Sequence, residues 1–592
     1  MAPGGRGTLR VLMVRGDLEQ ELGRRVAAAV RSAFDLAISP EDAVIRPALP
    51  ERQADYQSNA AMALARQLKM PSPVVAARIV EHLDTGDMLE PARPEGKGFV
   101  NLVLRRDWLQ RHLVELGCDE RLGAQVAANP RRVVIDYSAA NVAKEMHVGN
   151  LRSTIIGDSL HRLLRFQGHH VIPQNHIGDW GTPLGMLLEH LVDEDRAHGA
   201  DHSIGDLSAF YQEARRKFDA DPEFKERARL RVVALQGGDG DTLALWRELM
   251  AKSLRYIERL YELLGVLLTP DDVASESSYN PMLPNVAEEL ESRDLATTVD
   301  GALMAFPPGF TGRDGRPIPL IVRKSDGGYT YDTTDLAAIR FRCRDLRADD
   351  ILYVVGSPQR LHLEMVFAVA RQAGWLSPET RAVHVSFGQI LGTDGKLLRT
   401  RSGESIKLVA LLEEAIERAA AVVADRSELT ADGRERVARA VGIGAVKYAD
   451  LSGDRNKDYV FDWDRMLAMD GNTAVYLQYA NARVQSVIRR AGAAPARGTA
   501  VVLGEPAERA LGLKLAQFPT AVEAATANLQ PHRLCTYLYE TAVAFSTFYE
   551  KCSILGAETE ALRSSRLALC ELTSRVMVQG LDLLGIEAPE RL

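Results

Sequence analysis

The sequence predicts a multidomain α/β protein: a Rossmann-type parallel-sheet domain, preceded by an α+β domain and followed by an all-helical bundle. The chain has 592 residues, too many for one hydrophobic core, so several domains are expected. In the middle of the chain, short β-branched runs alternate with segments of helical periodicity. From about residue 405 to the end, the apolar spacing is helical almost throughout.

Residues 1–125 form the predicted α+β domain. Helical spacing runs from Asn59 to Gln67 and from Pro73 to Leu83, and a strand-like run follows from Gly98 to Leu104. An Asn-Pro turn at Asn129 marks its end. This domain contains no motif that indicates chemistry of its own.

Residues 126–404 form the predicted Rossmann-type domain, which begins with a βαβ unit. The β-branched run from Arg132 to Ser138 is typical of a buried parallel strand. A helix is expected from Leu151 to a stop at Gly168, and a second strand from Val171 to Ile177. The polar loop after the first strand then lies at the carboxyl edge of the sheet, where ligands bind in such folds.

The rest of the chain completes these domains. The charged, helical stretch 205–265 is expected to be an insertion or connector in the Rossmann-type domain. The apolar runs 319–322, 351–355 and 383–387 are expected to be further strands of the same sheet. Residues 405–592 form the helical domain, with a flexible loop expected at 492–498.

Composition excludes several classes of protein. The chain is 46% hydrophobic and 26% charged, which is ordinary for a globular protein and wrong for a disordered one. It lacks the roughly 18 uninterrupted apolar residues of a membrane span, and its N-terminus does not resemble a signal peptide. We therefore expect a cytoplasmic protein without membrane contact.

Charge and cysteine content limit the partners. The net charge is −8, so any nucleic acid must be bound by local basic surface. The five cysteines are odd in number and scattered, which predicts reduced thiols and neither a disulfide framework nor a metal site.

The densest polar cluster is the segment from Asn141 to Asn150, set between the first strand and the next helix. Helix N-terminal amides attract phosphate, and Gly149 allows the backbone to approach a ligand. Lys144 and His147 add donors that can neutralise developing charge. The cluster indicates a nucleotide site; a polar surface loop is the alternative.

Read as a signature, the segment from Asn141 to Asp158, N-V-A-K-E-M-H-V-G-N-L-R-S-T-I-I-G-D, resembles the H-x-G-H motif of class I aminoacyl-tRNA synthetases in its arginyl form. N-H-I-G-D-W-G, from Asn175 to Gly181, resembles the segment that follows it there. Further similar segments lie downstream: Tyr331 to Leu336, Gln359 to His362, Leu391 to Arg401, Lys447 to Leu451 and Tyr476 to Ala480. The resemblance to the arginyl-tRNA synthetase family covers essentially the whole chain.

The resemblance implies an enzyme that joins arginine to tRNA-Arg through an arginyl-adenylate. ATP with Mg²⁺ is the expected substrate complex, without a tightly bound cofactor, and a monomer is expected. The catalytic residues implied are Lys144, His147, Asn150, Thr400 and Arg401. ATP would be bound by Lys144, His147, Gly149 and Asn150. Family members commonly need bound tRNA before they activate the amino acid.

The resemblance also implies two binding surfaces. The arginine-binding residues would be Asp136, Asn141, Tyr331, Asp335 and Gln359. Tyr331 and Asp335 share a face if their segment is helical. The tRNA-binding residues of a helical anticodon-binding domain would be Tyr476, Gln478, Tyr479 and Arg483. The alternatives are a helix N-terminal carboxylate for Asp335, a surface polar residue for Gln359, and core positions for the two tyrosines.

The chain departs from the family pattern at two places. Asn150 replaces the second histidine of the signature, and Pro183 lies in a stretch that reads G-T-P-L-G instead of G-T-Q-F-G. The K-M-S-K-S position, 397–403, lacks its second lysine, but some family members also lack it and carry a lysine where Lys144 stands. Asn150 and Pro183 leave open a weak or inactive paralogue that binds tRNA or arginine; a second-copy ligase in a specialised pathway is a further alternative.

Overall fold

A computed structural model describes residues 18–48, 52–142, 144–180, 182–198, 207–399, 406–424 and 429–592. Thr400 and Arg401, expected in catalysis, lie outside the described residues. The strands, numbered along the chain, are β1 (Ile45–Pro47), β2 (Tyr56–Ser58), β3 (Arg93–Glu95), β4 (Phe99–Leu102), β5 (Arg132–Asp136), β6 (His170–Gln174), β7 (Ala296–Val299), β8 (Ala302–Ala305), β9 (Leu320–Arg323), β10 (Asp350–Tyr353), β11 (Arg381–His384), β12 (Ile390–Leu391) and β13 (Tyr459–Val460).

The α-helices are α1 (Leu18–Phe34), α2 (Ala60–Leu68), α3 (Ser72–Glu81), α4 (Arg106–Cys118), α5 (Val148–Phe166), α6 (Thr182–His198), α7 (Leu207–Ala220), α8 (Pro222–Gln236), α9 (Gly240–Leu264), α10 (Leu283–Ser292), α11 (Tyr331–Arg344), α12 (Arg360–Gln372), α13 (Leu408–Val423), α14 (Ala431–Leu451), α15 (Trp463–Met466), α16 (Ala474–Ala491), α17 (Pro506–Ala516), α18 (Phe518–Ala527), α19 (His532–Lys551) and α20 (Glu560–Leu583). A 3₁₀ helix, Glu276–Met282, precedes α10. Within the described residues, no helix is both long and apolar enough to cross a membrane.

The parallel sheet of the Rossmann-type domain has the strand order β11-β10-β5-β6. Helix α5 connects β5 to β6 on one side, whereas β10 joins the other side of β5 much later in the chain. Successive strands are therefore added on opposite sides of β5, so the strand order reverses between β5 and β10. In such sheets the crevice at the carboxyl ends of these two strands is the preferred ligand site. The expected α/β fold class is confirmed.

One expected strand belongs elsewhere. The apolar run 319–322 forms β9, but β9 pairs antiparallel with β8 in a separate three-stranded sheet, so its placement in the parallel sheet was wrong. Asp300 and Gly301, with φ of 50° and 79°, form a tight turn that folds β7 onto β8. An apolar run indicates a strand but not its partner.

The N-terminal domain packs helices on a four-stranded antiparallel sheet of order β1-β2-β4-β3. The stretch expected to be an insertion or connector forms α7, α8 and α9, in line with its helical spacing. Two arginines of α8, Arg227 and Arg231, hold it to α6 through the buried carboxylate of Glu189 at 2.9 and 2.8 Å.

The helical domain is attached directly to α5. Arg152 of α5 forms a buried ion pair with Asp450 of α14 at 3.2 Å. Nearby, the fully buried ammonium of Lys447 donates to the carbonyl of Leu264 at 2.8 Å. Breaking a buried pair by removing one partner costs roughly 3–5 kcal/mol, so the Arg152–Asp450 pair fixes the helical domain against the helix that carries the signature. The Lys447 bond attaches the same domain to the end of α9.

Candidate active site

The site begins at a strained turn after β5. Ser138 and Ala139 have φ of 75° and 50°, in the left-handed region that side chains rarely adopt. The Ser138 N–H donates to Ser153 Oγ at 2.9 Å, and the Tyr261 hydroxyl donates to Ser138 Oγ at 2.6 Å. These hydrogen bonds fix the turn at the carboxyl end of β5, just before the signature segment begins.

The signature histidine caps α5. The Gly149 N–H donates to His147 Nδ1 at 3.0 Å, and the His147 N–H donates to Asn150 Oδ1 at 3.2 Å, which closes a capping box. Because Nδ1 accepts, the proton of the neutral ring is on Nε2 and can be donated to a ligand. Burial lowers the pKa of His147, and the charge of Lys144 lowers it further. Asn150 thus has a structural task where the family pattern has a histidine.

A cavity of about 220 Å³, here called the signature cavity, opens beside this helix start. It is lined by His147, Val148, Gly149, Arg152, Gly356, Pro358, Phe387, Gly388, Gln389, Ile390, Leu397, Leu398 and Arg399. Its walls therefore combine the helix start with the beginning of the K-M-S-K-S position. On the far side of that position, the Val148 N–H donates to the carbonyl of Ile406 at 3.0 Å.

Lys144, expected to contact phosphate, is exposed beside the signature cavity. Its Nζ lies 6.0 Å from the ring centroid of Tyr211 on α7. Lys407, just beyond the K-M-S-K-S position, pairs with Glu145 at 2.7 Å. The two signature segments are therefore joined by an ion pair next to Lys144.

A second cavity, of about 360 Å³, lies on the other side of the 355–359 segment and is here called the acidic cavity. It is lined by Asp136, Ala139, His176, Glu276, Tyr331, Thr334, Asp335, Tyr353, Val355, Gln359, His362 and Leu363. Tyr331, Asp335 and Gln359 thus meet as expected, and Tyr331 and Asp335 share the first turns of α11. Asn141 is exposed and bridges to Gly178, where an added Cβ would lie 2.4 Å from Asn141 Oδ1.

Asp136, expected to bind arginine, lines the acidic cavity, and its carboxylate is already paired. Its Oδ2 accepts from the fully buried guanidinium of Arg342 at 2.7 Å. The Arg342 Nε donates to Gln174 Oε1 at 2.6 Å. Since Arg342 neutralises Asp136, the negative charge available to a ligand must come from other residues.

Glu276, which the sequence analysis missed, provides such a charge. Its N–H donates to the carbonyl of Ile177 at 3.0 Å, and the neighbouring Ser277 donates from N and Oγ to Asp179 at 2.9 and 2.6 Å. Burial raises the pKa of Glu276 to about 7, and the charges of Asp179 and Asp335 add to this shift. The N-H-I-G-D-W-G segment therefore positions a carboxylate that follows it far along the chain.

Of the four residues expected to bind tRNA, Tyr476, Tyr479 and Arg483 are partly exposed. Tyr476 and Tyr479 are half-buried, and Tyr476 also packs against the main hydrophobic core. The Arg483 guanidinium carbon lies 4.8 Å from the Tyr479 ring centroid and 5.3 Å from that of Tyr549. The Tyr476 and Ser546 hydroxyls share a hydrogen bond at 3.2 Å. These side chains form a polar aromatic face between α16 and α19.

Gln478 does not belong to that face, which corrects its expected role. It is fully buried, and its amide nitrogen donates to the carbonyls of Ala440 and Glu587 at 3.0 and 2.8 Å. Helical spacing turns this residue toward α14, whereas Tyr476 and Tyr479 stay partly exposed. Gln478 therefore anchors the C-terminal segment.

Pro183 has a local explanation. It occupies the second position of α6, where the N–H of any residue lacks an intrahelical acceptor. Replacing the usual residue by proline therefore removes no hydrogen bond of the helix.

Comparisons with known proteins agree along the chain. Family models match in order: "Arginyl tRNA synthetase N terminal domain" over residues 20–104, "tRNA synthetases class I (R), catalytic domain" over 112–463, and "DALR anticodon binding domain" over 477–592. The arginine–tRNA ligase of Thermobifida fusca is 53% identical, covering 97% of this chain and 100% of that protein. That of Frankia casuarinae is 48% identical, covering 97% and 99%.

Solved structures are similar over the same length. The arginyl-tRNA synthetase of Plasmodium falciparum has a TM-score of 0.83 and 27% identity, covering 98% of this chain and 99% of that chain. The Thermus thermophilus enzyme has a TM-score of 0.81 and 25% identity, covering 97% and 100%. The parallel sheet and the signature at its carboxyl edge thus define a class I aminoacyl-tRNA synthetase. Within that class, the chain belongs to the arginyl-tRNA synthetase family.

Proposed function

We propose that the protein ligates L-arginine to tRNA-Arg in an ATP-dependent reaction, through an arginyl-adenylate, with release of AMP and diphosphate. The observation that carries this is the junction of two cavities at the 355–359 segment: Gly356 and Pro358 line the signature cavity, and Val355 and Gln359 the acidic one. A guanidinium at the acidic end and a triphosphate at the signature end would bring the arginine carboxylate to the α-phosphate.

The acidic cavity suits a guanidinium. Asp335 and Glu276 supply carboxylates, with which a planar guanidinium forms charge-assisted hydrogen bonds. Tyr331 and Gln359 complete the side-chain contacts. Asp136 is neutralised by Arg342, so its other carboxylate oxygen would act only as a hydrogen-bond acceptor for the guanidinium.

At the signature cavity, we propose that the arginine carboxylate attacks the α-phosphate of ATP in line. An oxygen–phosphorus bond forms and the bond to diphosphate breaks, so positioning and charge stabilisation suffice without a protein nucleophile. His147 Nε2–H, the α5 N-terminus and Lys144 would stabilise the phosphates, with Thr400 and Arg401 from the K-M-S-K-S position and Mg²⁺ carried by ATP. The terminal ribose hydroxyl of tRNA then attacks the arginyl carbonyl, losing its proton and displacing AMP.

Arginine affinity should fall in mild acid. Glu276 has a raised pKa of about 7, so it is ionised above this pH and protonated below it. A protonated carboxyl cannot pair with a guanidinium, and KM for arginine should rise as pH falls through 7. Steady-state aminoacylation from pH 6 to 8 measures this. Glu276→Gln should show a high KM at all pH values; a wild-type acid limb in that variant would contradict the assignment.

Asn150→His should leave the aminoacylation rate unchanged or raise it. The substitution removes a capping acceptor, worth about 0.5–2 kcal/mol of stability, but adds a donor of the kind whose loss elsewhere costs roughly 10²–10³ in rate. Asn150→Ala removes the cap without adding a donor and serves as the control. A large drop in rate for Asn150→His alone would mean that Asn150 is adapted to an altered site.

The aromatic face of the helical domain is proposed to bind the anticodon. Stacking of a base on an aromatic ring contributes about 1–3 kcal/mol, so Tyr476→Ala should raise KM for tRNA roughly tenfold to hundredfold. Aminoacylation at varied tRNA concentration measures this, with KM for arginine as the internal control. Equal increases of KM for tRNA and KM for arginine would show that Tyr476 does not contribute specifically to tRNA binding.

The test of the function is aminoacylation of tRNA-Arg with radiolabelled arginine and ATP, beside ATP–diphosphate exchange with and without tRNA. Charging establishes the ligase. Intact tRNA binding without product in either assay would favour a non-catalytic paralogue, for which the full-length similarity to ligases offers no support. We further propose that the protein is cytoplasmic and monomeric. Light scattering of the purified protein would test the monomeric state.

A further inference from the structure

We propose that His362 is a positioning and specificity-determining residue of the arginine site, which holds the carboxylate of Asp335 in the orientation that a guanidinium requires. This inference rests on the proposed function. His362 belongs to the Q-R-L-H segment, of which only Gln359 was expected to act.

The imidazole of His362 joins two carboxylates of α11. Its Nε2 lies 2.5 Å from Asp335 Oδ2, and its Nδ1 lies 3.3 Å from Asp332 Oδ1. The other oxygen of Asp332 accepts the N–H of Ile321 in β9 at 2.9 Å. The Tyr331 ring packs edge-on against the imidazole, with centroids 5.2 Å apart. A chain of contacts therefore runs from a strand through Asp332 and His362 to Asp335.

Two carboxylates on two ring nitrogens require an imidazolium, since a neutral ring has one N–H donor only. Burial lowers the pKa of His362, but the hydrogen bonds and charges of Asp332 and Asp335 outweigh it and raise the pKa to about 9. The ring is therefore charged at neutral pH. On its own helix, Arg360 and Glu364 pair with each other at 3.0 Å on the exposed side.

The charge of His362 offsets part of the negative charge of the acidic cavity. Asp332, Asp335 and Tyr331 from α11 contact the ring, and the cavity that the ring lines is also lined by Glu276 from the 3₁₀ helix, by His176 and by Asp136, which is paired with Arg342. The charge of Asp335 raises the pKa of Glu276, and this repulsion would be stronger without the imidazolium. The imidazolium thus balances the charge of Asp335 and fixes the position of its Oδ2.

This arrangement favours a guanidinium over other cations. With Oδ2 bonded to His362, Asp335 offers one fixed oxygen, and Glu276 offers a second carboxylate on another element. A planar fork of N–H donors can reach two fixed acceptors at once, whereas a single ammonium acts as a point charge. His362 therefore contributes to selectivity without touching the reacting atoms.

Two substitutions separate the charge from the hydrogen bond. In His362→Gln the amide nitrogen replaces Nε2 and keeps a neutral donor for Asp335; in His362→Asn the shorter amide replaces Nδ1 and loses that donor. Because a hydrogen bond to a charged group contributes about 1.5–3 kcal/mol, we expect KM for arginine to rise roughly tenfold in His362→Gln and up to about hundredfold in His362→Asn. KM for ATP should stay within about twofold in both, because His362 does not line the signature cavity.

The pH profile provides the readout that a merely structural role would not change. Removing the imidazolium takes a positive charge out of the cavity and raises the proton affinity of Glu276, so the acid limb of KM for arginine should move to higher pH in His362→Gln. His82→Gln, at the exposed C-cap position that follows α3 in the N-terminal domain, is the control for loss of a histidine.

Three outcomes decide. A wild-type KM for arginine with an unmoved acid limb in both variants overturns the inference. Equal increases of KM for arginine and for ATP, with a lowered thermal midpoint, also overturn it, because His362 would then act through the fold alone. If the wild-type protein charges no tRNA with arginine, the proposed function fails and this inference with it, which a separate wild-type assay distinguishes.

Discussion

Asp335→Ala should raise KM for arginine by roughly 10²- to 10⁴-fold, because a bound guanidinium would desolvate its charge pair with Asp335, and removing one partner of such a pair costs about 3–5 kcal/mol. The substitution removes the carboxylate that His362 holds at 2.5 Å. The imidazolium then remains in the cavity with one counter-charge fewer and repels the guanidinium. Steady-state aminoacylation at varied arginine concentration measures the effect.

The control for this variant is Asp345→Ala. Asp345 is exposed at the opposite end of the same helix, so its removal tests for a general effect on α11. We expect the kinetic constants of the control to match those of the wild type. An unchanged arginine KM in Asp335→Ala would remove this carboxylate from the arginine site and leave Glu276 as the principal partner.

The second large effect is expected from His147→Asn, which should lower kcat for adenylate formation by about 10²- to 10³-fold, the range found for loss of one transition-state donor. Asparagine is among the best N-cap residues, so the start of α5 should persist while the imidazole Nε2–H is lost. The measurement is ATP–diphosphate exchange with tRNA present, beside thermal unfolding.

His147→Ala is the matched comparison, since it removes both the cap and the ring. It should lose similar activity and, in addition, about 0.5–2 kcal/mol of stability. If His147→Asn kept its full rate, the role of His147 would be confined to capping, and Lys144 would become the main candidate for stabilising the phosphates.

Much of the site could be predicted because its signals are local. The hydrogen bonds by which His147 caps α5 involve only Gly149 and Asn150, which lie within three residues of it. Likewise, the shared face of Tyr331 and Asp335 follows from helical periodicity alone. The fold class followed from alternating strand and helix patterns, each of which spans a few residues.

The exceptions all depend on contacts between distant residues. Glu276 is about a hundred residues from the N-H-I-G-D-W-G segment, so no local pattern predicts their contact. Likewise, the residues next to Asp136 in the sequence do not show that Arg342 neutralises it. The pattern around Gln478 did not show that its face of α16 is covered by α14 and the C-terminal segment.

The sequence by itself therefore determined the family and the order of the domains, and it predicted some of the residues that line the two cavities: His147 and Gly149 at one, and Asp136, Tyr331, Asp335 and Gln359 at the other. Only the tertiary structure decided which carboxylates carry free charge: Asp136 is neutralised, Glu276 is brought in, and Asp335 is held by His362. The physical reason is that helices and strands arise from short-range backbone geometry. The charge state of a buried group, by contrast, depends on burial and on partners that the fold brings together from far along the chain.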